Sequence, residues 1–129
     1  NNMRREVKYG QSSRIDMFLE DPVKGSCFVE VKNVHLKRDA GAEFPDSVTA
    51  RGTKHLCELS TMVDQGHRAV MLYLVQREDC IDFRIAADID PKYHRTFETV
   101  LDNGVEALSY ACQLHPSSIE IGQSLRIVR

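Results

Sequence analysis

The sequence predicts an α/β fold: a mixed central sheet flanked by helices. Three features carry that expectation. Residues 13–36 read as two strands joined by a tight turn, and so as an antiparallel hairpin. Residues 45–65 place apolar side chains at helical spacing. Residues 68–76 (Arg-Ala-Val-Met-Leu-Tyr-Leu-Val-Gln) form an almost unbroken apolar run, which suits a strand covered on both faces.

The elements follow in order. The opening Asn1-Asn2-Met3-Arg4-Arg5 does not look like a native start and reads as a cut from a longer chain. Ser13 to Glu20 is a strand with Asp16 embedded among Ile15, Met17, Phe18 and Leu19. Asp21-Pro22-Val23-Lys24-Gly25-Ser26 is turn chemistry, because proline fixes φ and glycine permits positive φ. Cys27 to Leu36 is the second strand. Lys37 to Phe44 is polar and contains glycine, and reads as a loop. Pro45-Asp46 then opens a helix, with Asp46 as N-cap and Gly66 as terminator. Its inner stripe is expected to be Val48, Gly52, Leu56, Leu59 and Val63. After the apolar strand come a short strand at Ile81–Ile85, a helix at Pro91–Asn103, a strand at Gly104–Leu114 and a final edge strand at Ile119–Val128. Neither a repeat nor a linker interrupts the chain, so residues 1–129 are read as one domain.

Composition fits this reading. With 129 residues, 42% hydrophobic and 28% charged, the chain is globular rather than disordered and long enough to bury a core. No apolar run approaches the roughly 20 residues of a membrane helix, and no leader is visible, so a cytoplasmic location is expected. Cys27, Cys57, Cys80 and Cys112 include no Cys-x-x-Cys pair. An even count permits two disulfides, but nothing else points to secretion, and the cysteines are read as free thiols in a reducing compartment. The net charge of −2 argues mildly against a dedicated nucleic-acid binder, which is usually basic. Acidic metal ligands would lower the charge locally and blunt that objection.

Glu30-Val31-Lys32 sets two charged side chains on one face of a strand, since side chains alternate with period two. The pattern of an acid, any residue and a lysine occurs three times, at Glu6-Val7-Lys8, Glu30-Val31-Lys32 and Asp90-Pro91-Lys92, so a second condition must choose among them. That condition is another acid on a neighbouring strand. Asp16 meets it, because directly opposed residues of an antiparallel pair have Cβ atoms about 5 Å apart, close enough to share a cation. Only registers that pair Asp16 with Glu30 or Lys32 put the three on one face, and a slip of one residue turns Asp16 away. In the competing reading, Asp16 pairs with Arg14 or Lys32, while Glu30 and Lys32 form a solvated strand face. On the helix, Arg51, Lys54, His55 and Glu58 recur at spacings of three and four, a face suited to holding phosphate oxygens. There too an ordinary solvated face, with a Lys54–Glu58 ion pair, competes.

A family resemblance runs over nearly the whole chain. It is carried in order by Glu6-Val7-Lys8-Tyr9-Gly10, Ser13-Arg14-Ile15-Asp16, Val29-Glu30-Val31-Lys32-Asn33-Val34 and Phe44-Pro45-Asp46-Ser47-Val48-Thr49. Arg51-Gly52-Thr53-Lys54-His55-Leu56, Val75-Gln76-Arg77, Asp90-Pro91-Lys92-Tyr93 and Gly104-Val105-Glu106 complete it. The sequence closely resembles the C-terminal domain of the sugar fermentation stimulation protein family. The resemblance implies a restriction-endonuclease-like PD-(D/E)xK core, whose signature is an Asp on one strand and Glu-x-Lys on the next. Asp16, Glu30 and Lys32 match it residue by residue. Glu6 is carried over as a further upstream acid and Gln76 as a polar group on the next strand. The resemblance further implies a cytoplasmic prokaryotic protein that binds DNA without strong sequence preference and is linked to regulation of sugar (maltose) metabolism. The family's N-terminal OB-like domain has no counterpart in these residues.

Three functions of different classes follow as expectations. In the first, metal-dependent phosphodiester cleavage, Asp16, Glu30 and the Val31 carbonyl hold Mg2+ or Mn2+, and Lys32 orients water or neutralises the transition state. Arg51, Lys54 and His55 hold the DNA backbone. In the second, the same fold binds DNA for regulation without cutting it. In the third, the domain is a scaffold that self-associates as a homo-oligomer.

Overall fold

The structure is a computed structural model that describes the backbone of residues 2–9, 13–21, 25–115 and 118–129, and the side chains of Leu19 and of residues 25–115 and 120–129. Among the described residues the elements are β1 (Asn2–Tyr9), β2 (Ser13–Asp21), β3 (Gly25–Val34), β4 (Leu36–Arg38), β5 (Gly41–Phe44), α1 (Ala50–Asp64), β6 (Arg68–Val75), β7 (Asp82–Ile85), α2 (Pro91–Asp102), β8 (Glu106–His115), β9 (Ser118–Ser124) and β10 (Arg126–Val128).

A six-stranded sheet runs in the order β1-β2-β3-β6-β8-β9. Its centre, β3, β6 and β8, is parallel. Antiparallel β1 and β2 extend one side and antiparallel β9 the other. A smaller sheet, β10-β7-β5-β4, is also mixed. The architecture is therefore the α/β one expected, with a mixed central sheet packed against helices.

Alternation along β6 explains its continuous apolar run. Ala69, Met71, Tyr73 and Val75 face the main core, where Leu56 and Leu59 of α1, Phe83 of β7 and Tyr93 and Phe97 of α2 meet them. The Tyr73 ring stacks on Phe83 with centroids 4.6 Å apart. Val70 and Leu72 turn to the opposite face and join Cys27, Val29, Val31 and Leu19 in a smaller apolar cluster.

The helix ends follow from local chemistry. Thr49, in an extended conformation, caps α1 by accepting the Gly52 N–H at 2.9 Å. At the other end Gly66 adopts φ 92°, and the Gly66 and His67 amides bond back to Val63 and Met62. Asp90 caps α2 through the Tyr93 N–H, and Pro91 occupies the first turn, where no amide donor is needed.

The structure differs from the sequence reading at five points. The segment 37–44 is not a loop: β4 and β5 form an antiparallel pair there. Arg38 bonds to the carboxylates of Glu43, across the hairpin, and of Asp88, fifty residues away, a pairing that local polarity conceals. The helix cap is Thr49 rather than Asp46, so Val48 precedes the helix and is exposed instead of lining its inner stripe. The final strand is two strands, β9 in the large sheet and β10 in the small one, with buried Leu125 between them. The opening segment, given no element from its sequence, forms β1. The predicted turn loses its ends to the strands, as Asp21 belongs to β2 and Gly25 to β3, while residues 22–24 lie outside the described residues.

Candidate active site

Glu30 and Lys32 stand two residues apart on β3, an interior strand with β2 on one side and β6 on the other. Period-two alternation puts them on the face that also carries Phe28 and Val34, the face covered by α1. Glu30 is buried, with 3% of its surface exposed, and so is His55 of α1, at 5%. The Lys32 ammonium lies 2.7 Å from His55 Nδ1 and 3.9 Å from Glu30 Oε2. His55 Nδ1 is 3.6 Å from the same carboxylate oxygen. A buried carboxylate is costly unless paired, and here a cation and an imidazole converge on it.

Two features hold His55 at this place. The Asp90 carboxylate accepts the Thr49 backbone N–H at 2.9 Å, so the start of α1 is bonded to the cap of α2. Gly52, on the first turn of α1, faces Thr49 and Tyr93 so closely that an added Cβ would lie 2.9 Å from the Thr49 methyl and 3.1 Å from the Tyr93 ring. Behind the cluster, the Tyr73 and Tyr93 hydroxyls meet at 2.6 Å. Burial pushes both phenols well above their usual range, and at Tyr93 the charges of Asp90 and Glu30 add to it. Asp90 is held below the usual carboxylate range, chiefly by the Thr49 amide.

The remaining candidates are placed as follows. Asp16 lies in β2 and Glu6 in β1, and the side chains of both are outside the described residues. The β2–β3 register pairs Met17 with Val29 and runs on to Asp21 with Gly25. The Val31 side chain belongs to the apolar cluster on the opposite face, so only its main chain is left for the site face. Gln76 follows β6 and donates from its amide to the Asn33 side chain at 3.0 Å, which associates it with Asn33 rather than with Lys32. Arg51 and Lys54 are exposed on α1. His55 does not share their face: it falls in the buried stripe of Gly52, Thr53, His55, Leu56, Leu59 and Met62, and is corrected from a surface phosphate contact to a member of the inner cluster. Its spacing of three from Gly52 and four to Leu59 is the signal that would have placed it there. The Lys32–His55 contact and the Tyr73–Tyr93 pair join elements far apart in sequence, which no local pattern announces.

Among the described residues, no group of three or more His, Cys, Asp or Glu side chains is arranged to hold a metal ion. All four cysteines are free. No helix among them is long and apolar enough to cross a membrane.

The "Sugar fermentation stimulation protein RE domain" family matches residues 1–118. The sugar fermentation stimulation protein homolog of Rhodospirillum centenum is 64% identical over 126 residues, covering 97% of this chain and 54% of that protein. The homolog of Paramagnetospirillum magneticum is 60% identical over 124 residues, covering 96% of this chain and 52% of that protein. The chain thus spans about half the length of the curated relatives it matches. A solved structure described as Pyrococcus furiosus SfsA in complex with Ca2+ superposes with a TM-score of 0.89 at 28% identity, covering 98% of this chain and 54% of that one. The likeness accords with a restriction-endonuclease-like fold.

Proposed function

Since the chain belongs to the sugar fermentation stimulation protein family, we propose that it acts on DNA as a metal-dependent phosphodiesterase. The observation that carries this reading is the buried Glu30 carboxylate, with Lys32 two residues along the same central strand. Burying that acid beside a lysine gains little stability over apolar packing, which favours a functional reason for keeping it.

Glu30, Asp16 and the Val31 carbonyl would hold Mg2+ or Mn2+. The donor set fits such an ion. It is made of oxygens, as hard divalent cations require, and one or two carboxylates suffice when waters and phosphate complete the shell. The β2–β3 register supports the pairing, because one step beyond Met17–Val29 would oppose Asp16 to Glu30. The Ca2+ complex of the Pyrococcus furiosus protein supports it as well. A bound ion would supply an acidified water and neutralise charge on the scissile phosphate. Lys32 contributes a fixed positive charge beside the phosphoryl group, and Arg51 and Lys54 position the DNA backbone.

The test is nicking of supercoiled DNA by the intact protein with Mn2+ or Mg2+, compared with chelator and with Glu30→Gln. Nicking that needs the ion and Glu30 is expected; equal nicking by Glu30→Gln, or none by the parent, would refute the assignment. A second reading, a DNA-binding regulator of sugar (maltose) metabolism that does not cut, is favoured by the exposure of Arg51 and Lys54 on a face separate from the buried cluster. Salt-sensitive DNA binding without nicking would decide for it.

A further inference from the structure

Helices α1 and α2 lie side by side and point the same way. The Asp90 carboxylate accepts the Thr49 amide and so joins their starts, while the Asn103 side chain reaches Ser60 and Asp64 and joins their ends. Their charges are sorted along this shared direction. Arg51 and Lys54 of α1 and Lys92 and Arg95 of α2 are exposed within the first two turns. Asp64 and Asp102 are exposed at the far ends. Neither helix has an acid in its first turn or a cation in its last. The Asp90 cap is buried and taken up by the amides of Thr49 and Tyr93.

This polarity is the reverse of what helix stability favours. Peptide dipoles make the start of a helix positive, so acids stabilise it there and cations stabilise its end. One such helix would be ordinary. Two that are bonded in parallel bring their misplaced cations onto one patch, in a chain whose net charge is −2. The patch gains nothing for the fold, but it gathers positive potential where an anion would meet it.

We propose that Lys92 and Arg95 of α2 join Arg51 of α1 in one phosphate-binding surface, which holds the backbone of duplex DNA across the starts of the two helices. The inference rests on the DNA-binding reading above and gives it a second row of contacts. Packed helices have axes about 8–10 Å apart, between the widths of the minor and major grooves of duplex DNA, about 6 and 12 Å. Each row can therefore serve a different strand. Arg95 is turned toward α1, since it lines a cavity of about 360 Å³ between the helices together with Cys57, Ser60 and Thr61. Cations so placed fix the register of a protein on the duplex without reading its bases.

The experiment measures binding of the intact protein to short duplexes of unrelated sequence over a range of salt, in chelator, where a metal-dependent nuclease does not cut. Lys92→Ala with Arg95→Ala should weaken binding about equally for every duplex. It should also flatten the plot of log affinity against log salt by about 0.9 per contact, roughly 1.8 for the pair. Arg84→Ala with Arg126→Ala removes the same charge from exposed residues of the small sheet and should leave that slope unchanged. Melting checks the fold, and removing cations from helix starts should not lower the midpoint. If the alanine pair melts early, Lys92→Gln with Arg95→Gln takes its place in the same comparison. An unchanged slope in the folded variant, or an equal change on removing Arg84 and Arg126, would overturn the proposal. So would affinity lost for some duplexes and not others, the mark of base reading. A parent that binds no DNA would overturn the DNA reading and this surface with it. A parent that binds equally well without Lys92 and Arg95 overturns the surface alone.

Discussion

The hydroxyls of Tyr73 on β6 and Tyr93 on α2 meet at 2.6 Å where neither side chain is exposed to solvent. Each is the other's hydrogen-bond partner in a site otherwise lined by Phe44, Phe83 and Phe97.

Removing one hydroxyl strands the other. Tyr73→Phe or Tyr93→Phe alone is expected to cost about 1–3 kcal/mol, the penalty for a buried polar group left without a partner. The double variant should cost clearly less than the sum of the two, since it leaves no orphan. Urea unfolding of the three variants checks this; additive losses would show that the bond between them is unimportant.

Asp90→Ala removes both the cap of α2 and the tie to Thr49. A loss of about 1–3 kcal/mol is expected. The carboxyl is depressed in the folded state, so its contribution is complete above the unfolded value and fades as pH falls. Parent and variant should therefore differ most above about pH 4 and converge in stronger acid. A gap that widens on acidification would contradict the assignment.

Lys32→Met should abolish metal-dependent nicking while leaving the fold and Mn2+ binding intact, because a protonated lysine does not ligate a cation. Nicking at the parental rate would make Lys32 structural.

Arg51→Ala with Lys54→Ala should weaken binding to unrelated DNA sequences about equally and flatten its salt dependence, which falls by roughly 0.9 in log affinity per duplex phosphate contact for each decade of salt. Base-reading contacts would instead cost about 1–3 kcal/mol at particular positions. An unchanged salt slope would place the DNA elsewhere on the protein.

What could be read in the sequence was what depends on local pattern. The β2–β3 hairpin, the doubly covered β6 and α2 all lie within a residue or two of their expected bounds, because alternation, a long apolar run and an Asp-Pro start are local signals. The spacing of Glu30 and Lys32 likewise singled out one strand face. The rest depends on partners distant in sequence. Nothing near Arg38 announces that Asp88, fifty residues on, will bond to it beside the β4–β5 pair. Two N-cap residues, Asp46 and Thr49, compete to start α1, and the choice falls to Thr49, whose own amide is bonded to Asp90. His55 looked like a surface cation beside Lys54 because a helix face drawn at spacings of three and four is wide enough to run into the buried stripe.

The crossing from β3 to β6 also bears on how the chain is made. During synthesis, the β2–β3 hairpin with Glu30 and Lys32 leaves the ribosome before the strand that will flank it. β6 ends about forty residues beyond β3. At ~5–20 residues per second, the inner edge of β3 stays unpaired for roughly 2–8 s. Its Cys-Phe-Val segment is apolar, and an open apolar edge is the kind of surface that recruits neighbouring chains. Glu30 and Lys32 sit next in line on that edge, and charged side chains there disfavour pairing with another chain while the edge is open.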